Sequence, residues 1–109
     1  MKIYKHSYDS YKKEVITIEV EAEEKPKTYI ITESKNGVWE SRVTKDEIGR
    51  LVGKYDRRMF TLTPDRKYYI NALIENKELI INHLKTSLEN AVAEKTLFLK
   101  LLEQEGGVE

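Results

Sequence analysis

Strict alternation marks the clearest element of the chain. Over Glu14–Glu23, Ile16, Ile18, Val20 and Ala22 alternate with Val15, Thr17, Glu19 and Glu21. A period of two places one face in a core and the other in water. Glu23-Glu24-Lys25-Pro26-Lys27 ends this strand, because proline cannot donate to a ladder. Thr28–Glu33 is a second strand, rich in β-branched and aromatic residues. Asn36-Gly37 is a hairpin signal of the type I′ kind, which needs positive φ at both central residues. Val38–Val43 is then the return strand. That register sets Ile30 opposite Val43 and puts Ile30, Trp39 and Val43 on the core face. Lys2–Lys13 has no clear period, and is read as a short strand at Ile3–Lys5 followed by a loop.

Thr44-Lys45-Asp46-Glu47 reads as a capping box. Ile48, Leu51 and Val52 follow at helical spacing, and Gly53 stands at the C′ position. A short helix over Thr44–Val52 is expected, weakened by Gly49. Met59–Leu62 reads as a short strand. Thr63-Pro64-Asp65 then opens a second helix, with Thr63 as N-cap and Pro64 in the first turn. From there to Gly106 there is neither Gly nor Pro, so the helix runs over 64–103. Three heptad columns, through Ile70, Leu73 and Ile74, form a wide apolar stripe rather than a strict coiled-coil seam.

Forty helical residues extend about 60 Å, against a radius of gyration of about 13 Å for a compact domain of 100 residues. Thr86-Ser87-Leu88-Glu89 is the one candidate break, near 85–87. With no Gly or Pro nearby, a continuous or bent helix is the stronger reading. The fold is therefore α+β, a single domain over 1–109, with a small antiparallel sheet packed on the first part of a long C-terminal helix. The expected core is Ile16, Ile18, Val20, Ile30, Trp39, Val43, Ile48, Leu51, Phe60, Leu62, Ile70, Leu73, Ile74, Ile80 and Leu84.

Composition narrows the chemistry. With 109 residues the chain has one domain's worth of sequence, and it has no Cys. A disulfide framework, a thiol nucleophile and Cys-ligated zinc are excluded. His6 and His83 lack a third ligand at a metal spacing. No nucleophile elbow or phosphate-cradling glycine motif occurs. The expectation is a protein that is not an enzyme, has no catalytic residue, no metal and no cofactor. No apolar run is long enough to span a bilayer and no signal peptide is evident, so a cytoplasmic protein with no membrane partner is expected.

Nineteen basic residues balance nineteen acidic ones, but not evenly. All five Arg fall within 42–67, a segment that carries eight basic and four acidic groups. Arg57, Arg58, Arg66, Lys54 and Lys67, with Tyr68 and Tyr69 beside them, are the candidate anion- or partner-binding residues. Arginine offers a planar fork for phosphate or carboxylate, and aromatics stack on bases. The opposing reading is a solvated surface whose Arg groups pair with Asp56, Asp65 or Glu47. Duplex nucleic acid is disfavoured by the acidic flanks. Leu97, Phe98, Leu101 and Leu102, with Leu99, make the C-terminal end apolar over most of its circumference. An exposed cluster of this size needs a partner surface, and a homo-oligomer, most simply a two-fold dimer, supplies one.

The strand Ile16–Ala22, Lys25-Pro26-Lys27-Thr28-Tyr29, the run from Arg42 to Leu51 and a Lys/Glu-rich C-terminal helix together resemble small uncharacterised accessory proteins of bacterial phages and mobile elements. The 14 Lys, 15 Glu and four Ala suit an AT-rich genome of that kind. The resemblance carries no catalytic or binding residue. It implies a protein that acts in the host cytoplasm by binding a host macromolecule. The alternative is a protein that sequesters a small anionic ligand, such as a signalling nucleotide, in counter-defence.

Overall fold

A computed structural model of the chain describes residues 1–53 and 57–106. Five strands, β1 (Lys2–Asp9), β2 (Glu14–Glu24), β3 (Thr28–Ile31), β4 (Arg42–Thr44) and β5 (Arg58–Thr61), precede one helix, α1 (Arg66–Gly106). The strands form an antiparallel sheet in the order β4-β3-β2-β1-β5. The arrangement is α+β, and two compact units divide it, Met1–Ile74 and Glu75–Glu109.

In the first unit β1 is the strand that sequence periodicity conceals. It is eight residues long and lies between β2 and β5, where a three-residue strand and a loop are expected. Its buried positions Lys5 and His6 are polar, so no apolar alternation announces it. On one face Ile3, Val20, Ala22, Tyr29, Val43 and Phe60 form the core, with Ile18, Ile31, Val38 and Ile48 packed against it.

The hairpin departs from its expected register. Asn36-Gly37 makes the turn, and the Val38 N–H donates to the Lys35 carbonyl at 3.1 Å. Among the described residues only Lys13, Gly37, Gly49 and Gly53 have positive φ, so Asn36 does not and the turn is not type I′. Val43 stands opposite Tyr29 rather than Ile30. A slip of one residue exchanges the faces: Tyr29 is buried, Ile30 is half-buried and Trp39 is 71% exposed. The return strand shortens to Arg42–Thr44.

Gly37, with φ 91°, lies against the core. A Cβ there would stand 2.7 Å from Ile18 Cδ1. Gly37→Val should cost about 2 kcal/mol, from backbone strain and overpacking together. Urea unfolding measures this, and an unchanged midpoint would contradict the turn.

The expected helix over Thr44–Val52 is a single 3-10 turn, Lys45–Glu47, and the Thr44 side chain makes no cap hydrogen bond. The backbone instead turns alongside β5. Gly49, at φ 77°, donates its N–H to the Phe60 carbonyl at 2.8 Å, and Val52 and Arg58 exchange backbone hydrogen bonds. Pairing with a strand outweighs the local capping signal.

Helix α1 begins at Arg66, capped by Asp65 rather than Thr63; Asp65 Oδ1 accepts from the Tyr68 N–H at 3.0 Å. It is unbroken through 85–87. Tyr69 is its one buried residue. Ile70, Ile74, Ile80 and Leu84, expected in the core, are exposed, as is Leu62. The core face is closed by residues of the 31–48 stretch, so these helix residues are not needed to cover it.

Candidate functional site

Alternation along β1 sends Lys5 and His6 to opposite faces. Lys5 lies on the core face, directly opposite Ile18 on β2 and Phe60 on β5, and is 1% exposed. Its ammonium carries three donors, and each meets a partner. Nζ donates to the Gly37 carbonyl and to Glu40 Oε1, both at 2.9 Å. It also stands 3.2 Å from the centroid of the Trp39 ring, a cation–π contact. Glu40 Oε2 accepts from Arg58 Nη1 at 2.6 Å, and the Arg58 guanidinium lies 5.1 Å from the same indole. One carboxylate thus joins two cations under one aromatic ring. Burial pushes the Lys5 pKa down, and Glu40 opposes that shift.

Gly53 makes room for this arrangement. With φ 86° it is left-handed, and a Cβ there would collide with the Arg58 guanidinium.

His6, on the other face, is fully buried. Its Nδ1 and Nε2 lie 2.8 Å from the hydroxyls of Thr17 and Thr61. The Thr61 hydroxyl donates to the Thr63 carbonyl at 2.6 Å, so it accepts from Nε2–H. In the neutral imidazole Thr17 then donates to Nδ1. Tyr69 stacks on His6 with ring centroids 5.4 Å apart. Its hydroxyl donates to the Arg57 carbonyl, and burial raises its pKa to about 12. His6, Thr61 and Tyr69 are buried, and the cluster secures the start of α1 to the sheet.

Burial first, and then the charge of Arg66, push the His6 pKa below its ordinary 6.5, with Asp65 opposing. As pH falls through 6.5 the unfolded chain takes up a proton that the folded chain refuses. Stability must therefore fall with falling pH in that window, by at most about 1.4 kcal/mol per pH unit. A melting curve series from pH 7.5 to 5.5 should show the loss in the wild type and a flatter profile in His6→Gln. Equal slopes would contradict the buried neutral imidazole.

Beside the Lys5 network is a cleft of about 370 Å³, open to solvent and lined by Tyr8, Tyr11, Ile16, Trp39, Arg57 and Arg58, among others. It forms where β1 turns into β2. Asp9 fixes that turn by accepting from the N–H groups of Tyr11 and Lys12 at 2.9 and 3.1 Å. Tyr11 is almost wholly exposed. The Arg57 guanidinium lies 5.8 Å from the Tyr8 ring.

The residues singled out in the sequence separate. Arg57 and Arg58 share this cleft, and Arg66 does not line it. Arg66 donates to the Val15 carbonyl at 2.9 Å. Lys67 is exposed. Tyr68 donates to the Gly49 carbonyl at 3.1 Å, and Tyr69 is buried. Lys54 falls outside the described residues. The helix N-terminus is capped by the chain's own Asp65. Lys5, Glu40, Tyr8 and Tyr11 belong to the site but carry no sequence signal of their own. Trp39, read from the sequence as core with an exposed aromatic of a binding face as the alternative, is exposed and forms a wall of the cleft.

In the second unit Leu97, Phe98, Leu99, Leu101 and Leu102 are between 46 and 67% exposed. A shallow groove passes along Ala91, Phe98 and Leu102.

Among the described residues no group of three or more His, Asp or Glu side chains is placed to hold a metal ion, and no helix is long and apolar enough to cross a membrane. The chain matches no protein-family model, no curated protein and no solved structure.

Proposed function

We propose that this chain is a non-enzymatic binding protein that assembles with a second copy of itself through its C-terminal helix and presents its sheet unit to a macromolecule of the host cell. The observation that carries the reading is the exposed apolar stripe of α1. Ile74, Ile81, Leu88, Lys95 and Leu102 form one column, and Ile70, Lys77, Leu84, Ala91 and Phe98 the other. The two columns alternate at intervals of four and three residues, the spacing with which one helix packs along another of the same kind. Eight of these ten positions are apolar. A second α1 matches the stripe in length and period, which an arbitrary protein surface does not. Two-fold pairing buries the same stripe on both chains and leaves no unmatched end.

The two buried polar clusters favour a binding rather than a catalytic role. Each is satisfied within the fold, and His6 is closed to solvent. The phage or mobile-element setting and the cytoplasmic location belong to this same reading and rest on the resemblance and on composition.

Native mass spectrometry of the full chain purified from its host tests the proposal. A species of two subunits, with or without a co-purified macromolecule, is the expected result. A monomer at every concentration would overturn it.

A further inference from the structure

We infer that the open edge of β2, over residues 15–19, takes up an extended segment of a partner polypeptide as an additional antiparallel strand. The inference names the class of partner for the sheet unit and rests on the binding role proposed above. It concerns the first unit alone.

The main-chain ladder locates this edge. Met1 and Ala22 exchange both backbone hydrogen bonds, at 3.1 and 2.8 Å. The same register continues through Ile3 opposite Val20 and Lys5 opposite Ile18 to Ser7 opposite Ile16. Bonding direction alternates along an antiparallel strand, so Ile16, Ile18 and Val20 turn their N–H and C=O groups to β1. Those of Val15, Thr17, Glu19 and Glu21 point the other way, to the side on which β3 lies. Strand β3 covers only part of that side. It pairs with Ala22, Glu23 and Glu24, and the Thr32 N–H closes on the Glu21 carbonyl at 3.1 Å. The chain then leaves the edge for the core face, where Gly37 lies against Ile18 and Val38 packs on the core. Residues 15–19 therefore run on past the end of β3 with a strand on one side only, and all five are half-buried. Among the described residues no backbone group pairs with Val15, Thr17 or Glu19 on the open side.

The other edges of the sheet are shorter or taken. Strand β4 has three residues, and β5 bonds Gly49 and Val52 along its outer side. An open edge specifies its own occupant. Its donors and acceptors recur at every second residue, about 6.8 Å apart, and another extended main chain matches that spacing.

Side chains narrow the choice further. Lys35 Nζ donates to the Glu19 carbonyl at 2.6 Å, and Arg66 donates to the Val15 carbonyl at 2.9 Å. A cation thus stands at each end of the stretch, with Thr17 at its centre. A second copy of β2 is disfavoured here. Pairing about Thr17 would oppose Val15 of one copy to Glu19 of the other and bring Arg66 to Lys35 at both ends, an unfavourable meeting of like charges. A partner segment with β-branched residues opposite Ile16 and Ile18 and a carboxylate opposite Val15 suits the edge. The carboxylate meets Arg66, and the branched side chains form cross-strand pairs with the two isoleucines.

The probe is the peptide acetyl-Thr-Val-Thr-Val-Glu-amide, titrated into the isotope-labelled full-length protein and read by amide hydrogen exchange in NMR. In the free protein the Val15, Thr17 and Glu19 amides should exchange faster than those of Ile16, Ile18 and Val20. Added peptide should protect the three fast amides in a saturable way. Methylating the nitrogen of its central Thr keeps every side chain but removes the donor for the Thr17 carbonyl, and should weaken binding about tenfold. Arg66→Glu should weaken binding of this peptide but not of its counterpart ending in Gln. Three fast amides that are already protected in the free protein would overturn the inference. So would amides left unprotected at millimolar peptide, or equal binding of the N-methylated peptide. These amides report on the sheet unit whatever the subunit number, so failure here and failure of helix-mediated assembly are distinguishable.

Discussion

Glu40→Ala should destabilise the protein by about 3–5 kcal/mol, the usual cost of removing one partner from a buried charge pair. Small domains have roughly 5–15 kcal/mol in total, so this single change approaches the limit of folding. The reason is the position of Lys5. Its ammonium is 1% exposed and satisfied only by Gly37, Glu40 and the Trp39 ring. Without Glu40, Lys5 and Arg58 face each other with no carboxylate between them. Lys5→Met should cost much less, about 1 kcal/mol, because Glu40 keeps Arg58 and the unbranched side chain fills the same space. The double variant should be more stable than Glu40→Ala alone, since removing the lysine removes the uncompensated charge. Urea unfolding of the three variants gives the cycle directly. Equal losses for Glu40→Ala and Lys5→Met would show that the pair is not coupled.

Phe98→Glu with Leu102→Glu should dissociate the helices. The two positions are one turn apart, and each would place a carboxylate in an apolar contact. Their combined effect should weaken association by at least a thousandfold, on the order of two buried unpaired charges. Most helical stability in proteins comes from a packed face, so the helical circular dichroism signal should fall with the mass. The sheet unit has its own core and should keep its folded signature. A variant that remains associated would place the contact elsewhere.

The sequence was legible where one physical signal dominated. The alternation of Glu14–Glu23 gives β2, the turn chemistry of Asn36-Gly37 places the hairpin, and the long stretch free of Gly and Pro gives α1. It misled where two signals competed. Thr44 and Glu47 spell a capping box, yet the following residues gain more by pairing with β5. Tyr29 and Ile30 are both good strand residues, and nothing local decides which of them opposes Val43.

The site was hidden for a related reason. Lys5 and His6 occupy buried positions that hydrophobicity assigns to apolar residues. Their partners Glu40, Thr17, Thr61 and Tyr69 are distant in sequence, so only the assembled sheet brings them into contact. Arg57 and Arg58 stood out by composition. Their aromatic companions stood out less, because Trp39 fitted the core as well as a binding face and Tyr8 and Tyr11 lie in a segment without a period.

Sedimentation equilibrium of the wild-type chain at tens of micromolar tests the central claim most directly. Pairing through α1 predicts a mass of about 26 kDa, twice the 12.8 kDa chain, and a return to the single-chain mass in Phe98→Glu with Leu102→Glu. A wild-type protein that sediments at 12.8 kDa throughout that range would contradict it.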